Sequence, residues 1–231
     1  MKREFRVKEI PQCLKQTKIG EGANANCYIT TSGRLYKELK GEGIDDYITK
    51  QLLDYKYPGL AFPEQIIYLN DKVKGFLRKT VEGTKVSDLD LTKTDISDFL
   101  IAMMVFENQL KEFSYDTGLS LYEINNNNLI YTKDKELVNI DTDNTQPFDY
   151  LGYTVGNPFF ENMKEFANSI APILLTGNFK SRRLNQLQKE CILGGYMRPS
   201  TFVSEALEKM DHFIDVKTIS DYQKGLTLLR K

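Results

Sequence analysis

Residues 18–40 read KIGEGANANCYITTSGRLYKELK, and the architecture of the whole chain turns on what this stretch forms. Gln16–Ile19 and Cys27–Thr31 have strand character and flank a turn that carries Gly20 and Gly22. A glycine removes the Cβ, so backbone N–H groups there can approach a phosphate closely. After Ser32–Gly33 a third strand, Arg34–Leu39, places Lys37 in alternation with Leu35, Tyr36 and Leu39. A lysine on the inner face of such a strand is costly without an anion beside it. A G-x-G turn alone specifies only a tight turn, and a strand lysine alone often snorkels to solvent. In this order and spacing they suggest a phosphate site.

On the C-terminal side, Ile44, Tyr47, Ile48, Leu52 and Tyr55 recur at helical spacing until Pro58–Gly59 ends the run. Gln65–Leu69 and Gly75–Thr80 then read as strands around Asn70–Asp71, a hairpin-type turn. Past Gly83 the pattern becomes helical. Asp95 or Ser97 can cap a long helix whose apolar side carries Phe99, Leu100, Met103, Met104, Phe106, Leu110 and Phe113. The Met103–Met104 pair is expected in the core. Met163–Leu175 and Phe202–Met210 are further helices. A strand-rich N-terminal part is thus expected to join a helix-rich C-terminal part near Glu82–Ser87, with a cleft between them as the ligand's place.

Composition narrows the function classes. The chain has 231 residues, with 31 Lys+Arg against 32 Asp+Glu, and 13 Tyr and 13 Phe supply bulk for a core. A net charge of −1 removes the electrostatic case for a dedicated nucleic-acid binder. Cys13, Cys27 and Cys191 are too far apart for a zinc motif and suggest a reducing compartment. His212 is the one histidine, which excludes chemistry needing two. The N-terminus lacks the apolar run of a signal peptide, and no stretch of about 18 apolar residues exists to span a membrane. A cytoplasmic protein is expected.

A second stretch, GLSLYEINNNNLIYTKDKELVNIDTDN at residues 118–144, carries oxygen ligands. Glu123 precedes Asn128 by five positions. Asn128 enters the strand Leu129–Tyr131, a Lys–Asp–Lys turn follows, and Asp141 leaves the paired strand Leu137–Ile140. Asn128 and Asp141 therefore fall at one end of a hairpin. Their oxygens are hard donors suited to Mg²⁺, which keeps waters and substrate phosphates in its shell. The bland alternative is a turn-rich loop followed by acids that solvate a connection.

Taken in order, these motifs resemble the protein-kinase superfamily, especially the small eukaryotic-like Ser/Thr kinases of bacteria and phages, over roughly residues 15–210. Gly20-Glu21-Gly22 is similar to the Gly-rich loop over the ATP phosphates, and Leu35-Tyr36-Lys37 to the strand whose lysine holds the α and β phosphates. Residues Gly75 to Gly83 look like the last strand and hinge of the N-lobe, with Arg78 as gatekeeper and the backbones of Lys79 and Val81 facing adenine. Glu123 to Asn128 resembles the catalytic loop and Ile140-Asp141-Thr142 the metal-binding Asp-Phe-Gly. Ile170–Gly177 resembles the C-lobe helix ending in Leu-Thr-Gly, and Arg198-Pro199-Ser200 the late Arg-Pro-Ser/Thr element.

The resemblance implies an α+β, two-lobed kinase-like fold. Its N-lobe, residues 1–83, is an antiparallel sheet plus one helix; its C-lobe, residues 84–231, is mainly helical. It implies ATP and Mg²⁺ as cofactors and a protein substrate bearing Ser/Thr hydroxyls, with no nucleic acid and no membrane. Lys37, Gly20, Gly22, Cys27, Lys79 and Val81 would contact nucleotide, Asn128 and Asp141 metal, and Glu123 the hydroxyl proton. Ala25 replaces the third glycine and Cys27 the usual valine. The glutamate that normally pairs the lysine is missing; Asp45 is the substitute, with Asp46 second. Glu123 replaces the catalytic aspartate, and Leu121-Tyr122 the preceding His-Arg. The extra methylene shifts the carboxylate by about 1.5 Å, and a misplacement near 1 Å can cost about a hundredfold in rate. Ala-Pro-Glu is absent; Asn157–Glu161 is nearest, and Glu161 is offered as a partner for Arg198. Lys180, Arg182, Arg183 and Lys189 read as a solvated face. A nucleotide-responsive pseudokinase and a small-molecule kinase are the alternatives.

Overall fold

The computed structural model describes residues 3–41, 50–143, 145–147, 157–175, 197–211 and 214–228. Asp45, Asp46, His212 and the basic residues at 180–189 lie outside them. The chain divides into two units, Met1–Val81 and Glu82–Lys231.

In the first unit the glycine-bearing stretch forms β2 (Thr17–Glu21) and β3 (Ala25–Ile29), followed by β4 (Leu35–Leu39), β5 (Gln65–Leu69) and β6 (Lys72–Arg78). With β1 (Glu4–Val7) they make a six-stranded sheet in the order β1-β5-β6-β4-β3-β2. The sheet is mixed, not antiparallel as expected. β1 lies parallel to β5, pairing Glu4 with Ile66 and Val7 with Leu69. Glu4-Phe5-Arg6-Val7 does alternate charged and apolar residues, but over four positions only, and Phe5 stays 47% exposed. Asn70 and Asp71 take φ of 50° and 61°, the left-handed pair that a tight hairpin turn requires. β6 therefore starts at Lys72, three residues before the Gly75 at which the sequence pattern places its beginning.

Alternation sends side chains of β4 to two apolar clusters. Ala25, Leu39, Leu53, Ile66, Tyr68, Val73 and Phe76 pack together on one face. Leu14, Tyr36, Ile67 and Leu77 pack on the other. Gly75 is needed where it stands, because a Cβ there would lie 2.2 Å from the Lys37 carbonyl oxygen. Residues 50–52 are helical, and Leu53 just beyond them covers the first cluster.

The second unit is built on α1 (Ile96–Thr117), with α2 (Pro158–Leu174), α3 (Pro199–Met210) and α4 (Ile219–Leu228). Asp95, not Ser97, caps α1, its carboxylate accepting from the Ser97 and Asp98 N–H groups. Gly118 ends the helix at φ 68°. Phe99, Met103, Phe106, Leu110 and Phe113 are buried on one side. Met104 is 48% exposed, contrary to the core expectation, because successive helix positions turn by about 100° and only Met103 falls on the packed stripe. Phe106 of α1 meets Phe166 of α2 with ring centroids 4.9 Å apart.

Two small sheets complete this unit. β7 (Gly83–Lys85), β9 (Leu129–Thr132) and β10 (Leu137–Asn139) form one, and β8 (Leu119–Leu121) pairs with β11 (Thr145–Pro147) in the other. Gly83 pairs with Thr132, so the last residue of the stretch expected as N-lobe strand and hinge opens a strand of the second unit, while Lys79 to Glu82 form a connection. The architecture is α+β, with a mixed N-terminal sheet and a helical C-terminal part. Among the described residues no helix is long and apolar enough to cross a membrane.

Candidate functional site

Three candidate residues of the first unit, Gly20, Cys27 and Lys37, lie in one row across the sheet. Gly20 pairs with Cys27, Cys27 with Lys37, and Lys37 with Phe76. Paired residues share a face, so the Lys37 side chain rises from the side that carries Ala25, Leu39 and Phe76. Its Nζ stands 6.0 Å from the Phe76 ring centroid. Lys37 is half-buried there.

Gly20 is inside β2 and not in the turn, because the ladder slips by one residue between Lys18 and Gly20. The turn itself is Gly22 to Ala25, closed by the Gly22 N–H donating to the Ala25 carbonyl at 2.8 Å. That N–H is engaged within the turn. Neither glycine has a positive φ, and an added Cβ would come no nearer than 3.7 Å at Gly20 or 3.8 Å at Gly22. A side chain at either position would make only ordinary contacts within the chain, so neither backbone freedom nor a close approach inside the protein requires glycine here. Around the turn Lys18 and Lys40 both bond Glu21, at 2.6 Å and 2.7 Å, and hold its exposed carboxyl down at about 2. Lys40 also donates to the Gly22 carbonyl at 2.9 Å.

Arg78 closes β6 and is buried, with Nη1 donating to the Ala61 carbonyl at 3.3 Å. Lys79 is exposed and Val81 half-buried on the connection that follows. On the other face of β4, Glu38 is buried and paired with Lys15 at 2.6 Å.

In the second unit Glu123, Asn128 and Asp141 converge through backbone and amide bonds. Asn125 builds the loop: its side-chain oxygen accepts from the N–H groups of Asn127 at 3.0 Å and Asn128 at 3.1 Å, and its carbonyl accepts from Asn128 and Leu129. This turn sets the register of the asparagine run, so that Asn128 immediately precedes β9. Its Nδ2 donates to the Glu123 carbonyl at 3.1 Å. Its own carbonyl accepts from the Ile140 N–H at 2.8 Å, one step beyond the Leu129–Asn139 pair. Asn128 and Ile140–Asp141 therefore share one end of the hairpin, as the sequence pattern predicts. Asp143 is buried, which removes the bland picture of two acids solvating a connection.

Two asparagines that the sequence pattern does not single out hold this region in place. Asn162 of α2 is fully buried. It accepts from the Leu121 N–H at 2.6 Å and donates to Ser114 Oγ at 2.8 Å and the Leu119 carbonyl at 3.3 Å. It thereby ties α1 and α2 to β8, which leads into Glu123. The one signal in the sequence is an asparagine at a position that helical spacing assigns to the stripe of Phe166, Ile170 and Ile173. Asn139 is likewise fully buried, next to Asp141.

Arg198 does not pair with Glu161. It donates to Asn108 Oδ1 at 2.8 Å and stands over Phe159, while Glu161 faces Lys164 one turn on. Ser200 instead anchors this element, donating N–H and Oγ–H to the buried Glu107 at 2.9 Å and 2.5 Å. Burial pushes the Glu107 carboxyl up, and the Ser200 bonds offset part of this.

Among the described residues no group of three or more His, Cys, Asp and Glu could hold a metal. A magnesium ion carried by a phosphate substrate needs only one or two protein oxygens, so the pair Asn128 and Asp141 fits that chemistry. With Nδ2 committed to the Glu123 carbonyl, the Asn128 amide is turned so that its oxygen points the other way. No family model and no curated protein matches the chain.

Proposed function

We propose that this protein is a kinase-like ATP phosphotransferase that acts on Ser/Thr hydroxyls of a protein substrate. The observation that carries the reading is the loop in which Glu123, Asn128 and Asp141 are bound into one hairpin end, together with the Gly20–Cys27–Lys37 row of the other unit. Lys37 would bind the α and β phosphates, oriented by Asp45, with Gly20 and Gly22 beside them. Lys79 and Val81 would offer backbone groups to adenine. Asn128 and Asp141 would hold Mg²⁺ through oxygen, and Glu123 would accept or orient the hydroxyl proton. ATP, when bound, would supply the phosphoryl group, with the metal neutralising its oxygens.

A second reading is favoured by the carboxylate at position 123. Because Glu123 is longer than aspartate and lacks a preceding His-Arg, the chain would act as a nucleotide-responsive binding module with little turnover. Two assays separate these. Transfer of ³²P from ATP to the protein itself or to lysate proteins is expected of the enzyme, and is lost in Lys37→Ala and Asp141→Ala. Label that persists in both variants refutes the mechanism. Thermal stabilisation by ATP·Mg²⁺ without transfer identifies the module.

A further inference from the structure

Asn139 is the last residue of β10 and has no accessible surface. Its neighbours Leu137 and Val138 are buried and apolar, and it pairs with Leu129 across the ladder. Asparagine is a poor strand former, and its buried amide costs free energy unless bonded. A leucine or valine would serve the packing better. What Asn139 contributes is a clasp on the main chain of Asp141. Its Nδ2 donates to the Asp141 carbonyl at 3.2 Å, and its Oδ1 faces the Asp141 N–H at a longer 3.5 Å. The residue between them, Ile140, is held separately by the Asn128 carbonyl at 2.8 Å. Asp141 is thus fixed from both sides at the point where the strand ends and a free connection would begin.

We infer that Asn139 is a positioning residue for a divalent cation at Asp141, setting the direction of that carboxylate relative to Asn128 without touching the ion. The inference rests on the metal role given to Asp141 under the proposed function, but not on phosphate transfer. Groups that orient a metal ligand in this way are worth about tenfold to a hundredfold in metal affinity.

The test is a Mn²⁺ titration of the ¹⁵N-labelled full chain without nucleotide, reading paramagnetic broadening of the Asp141 and Asn128 amides. The wild type is expected to broaden there first. Asn139→Ala and Asn139→Asp are expected to need at least about tenfold more Mn²⁺. The aspartate variant is the sharper of the two. It adds negative charge beside the ion, so attraction alone would tighten binding, whereas loss of the Nδ2 donor weakens it. Unchanged midpoints in both variants, a tighter Asn139→Asp, or no broadening at Asp141 in the wild type overturns the inference. Should neither variant fold, exchange of the wild-type Asn139 side-chain amide protons decides. Slow exchange, slower still with Mg²⁺, upholds the clasp, and rapid exchange overturns it. A shifted Mn²⁺ midpoint in a protein that transfers no ³²P upholds the clasp and removes the phosphotransferase reading.

Discussion

Replacing Asn162 by alanine tests whether β8, which leads into the loop from Glu123 to Asn128, is held by one buried side chain. Three hydrogen bonds disappear, to the Leu121 N–H, Ser114 Oγ and the Leu119 carbonyl. Ser114 keeps the Leu110 carbonyl at 2.6 Å as a partner. The Leu121 N–H, buried in β8, loses its acceptor, which costs about 1–3 kcal/mol. The two lost donations add about 1 kcal/mol together, since one is long and one is replaceable. Alanine is the better helix former by roughly 0.5 kcal/mol, which offsets part of this. The expected loss is about 2–3 kcal/mol. Urea unfolding followed by circular dichroism measures it, and hydrogen exchange at the Leu121 amide localises it. Asn162→Leu, which leaves less room for a replacement water, should cost no less. Stability within about 0.5 kcal/mol of wild type, the range of an ordinary surface change, with unchanged Leu121 protection, would refute this role for Asn162.

Three further outcomes are expected. Gly75→Ala places a methyl within 2.2 Å of the Lys37 carbonyl. It should destabilise the first unit by about 2 kcal/mol or more, read as faster amide exchange in β4 and β6; a neutral effect counts against a tight approach of these two strands. Glu107 titrates with a sign opposite to most carboxylates. Burial raises its pKa, so the folded chain holds the proton to higher pH than the unfolded one. Its contribution to stability is therefore fully present below the ordinary Glu value of about 4.3 and is lost as pH rises through the raised value. Glu107→Gln should flatten that fall in a pH series of urea midpoints, and parallel profiles would contradict it. On the proposed function, Glu123→Gln takes away the group that would accept the proton while keeping the shape, and should lower ³²P transfer at least about a hundredfold with thermal stabilisation by ATP·Mg²⁺ retained.

Local chemistry makes much of this legible in the chain itself. Asn70–Asp71 announces a turn because few residues tolerate left-handed backbone, and the strands on either side follow. Asp95 before an apolar-periodic run announces the start of α1. Asn128 can be chosen from four consecutive asparagines because Leu129-Ile130-Tyr131 has to begin a strand. The failures share a cause. β1 is recruited by β5 through backbone bonds, and its own alternation, Phe5 and Val7 among the charges of REFRVKE at residues 3–9, spans only four residues. Charge alone matches Arg198 to Glu161, whereas the folded chain offers it Asn108 and the Phe159 ring.

Short-range pattern is enough to specify the alternation that puts Lys37 on an apolar face, the helical stripes of the C-terminal part, and the hairpin that joins Asn128 to Asp141. Each depends on neighbours within a few residues, where period and turn chemistry suffice. Long-range packing alone reveals that Asn162 holds β8 from 41 positions away and that Glu107 holds Ser200 from 93. Those pairings depend on which helix faces meet. A buried amide or carboxylate finds its partner through that packing, and nothing in its own stretch of chain encodes the choice.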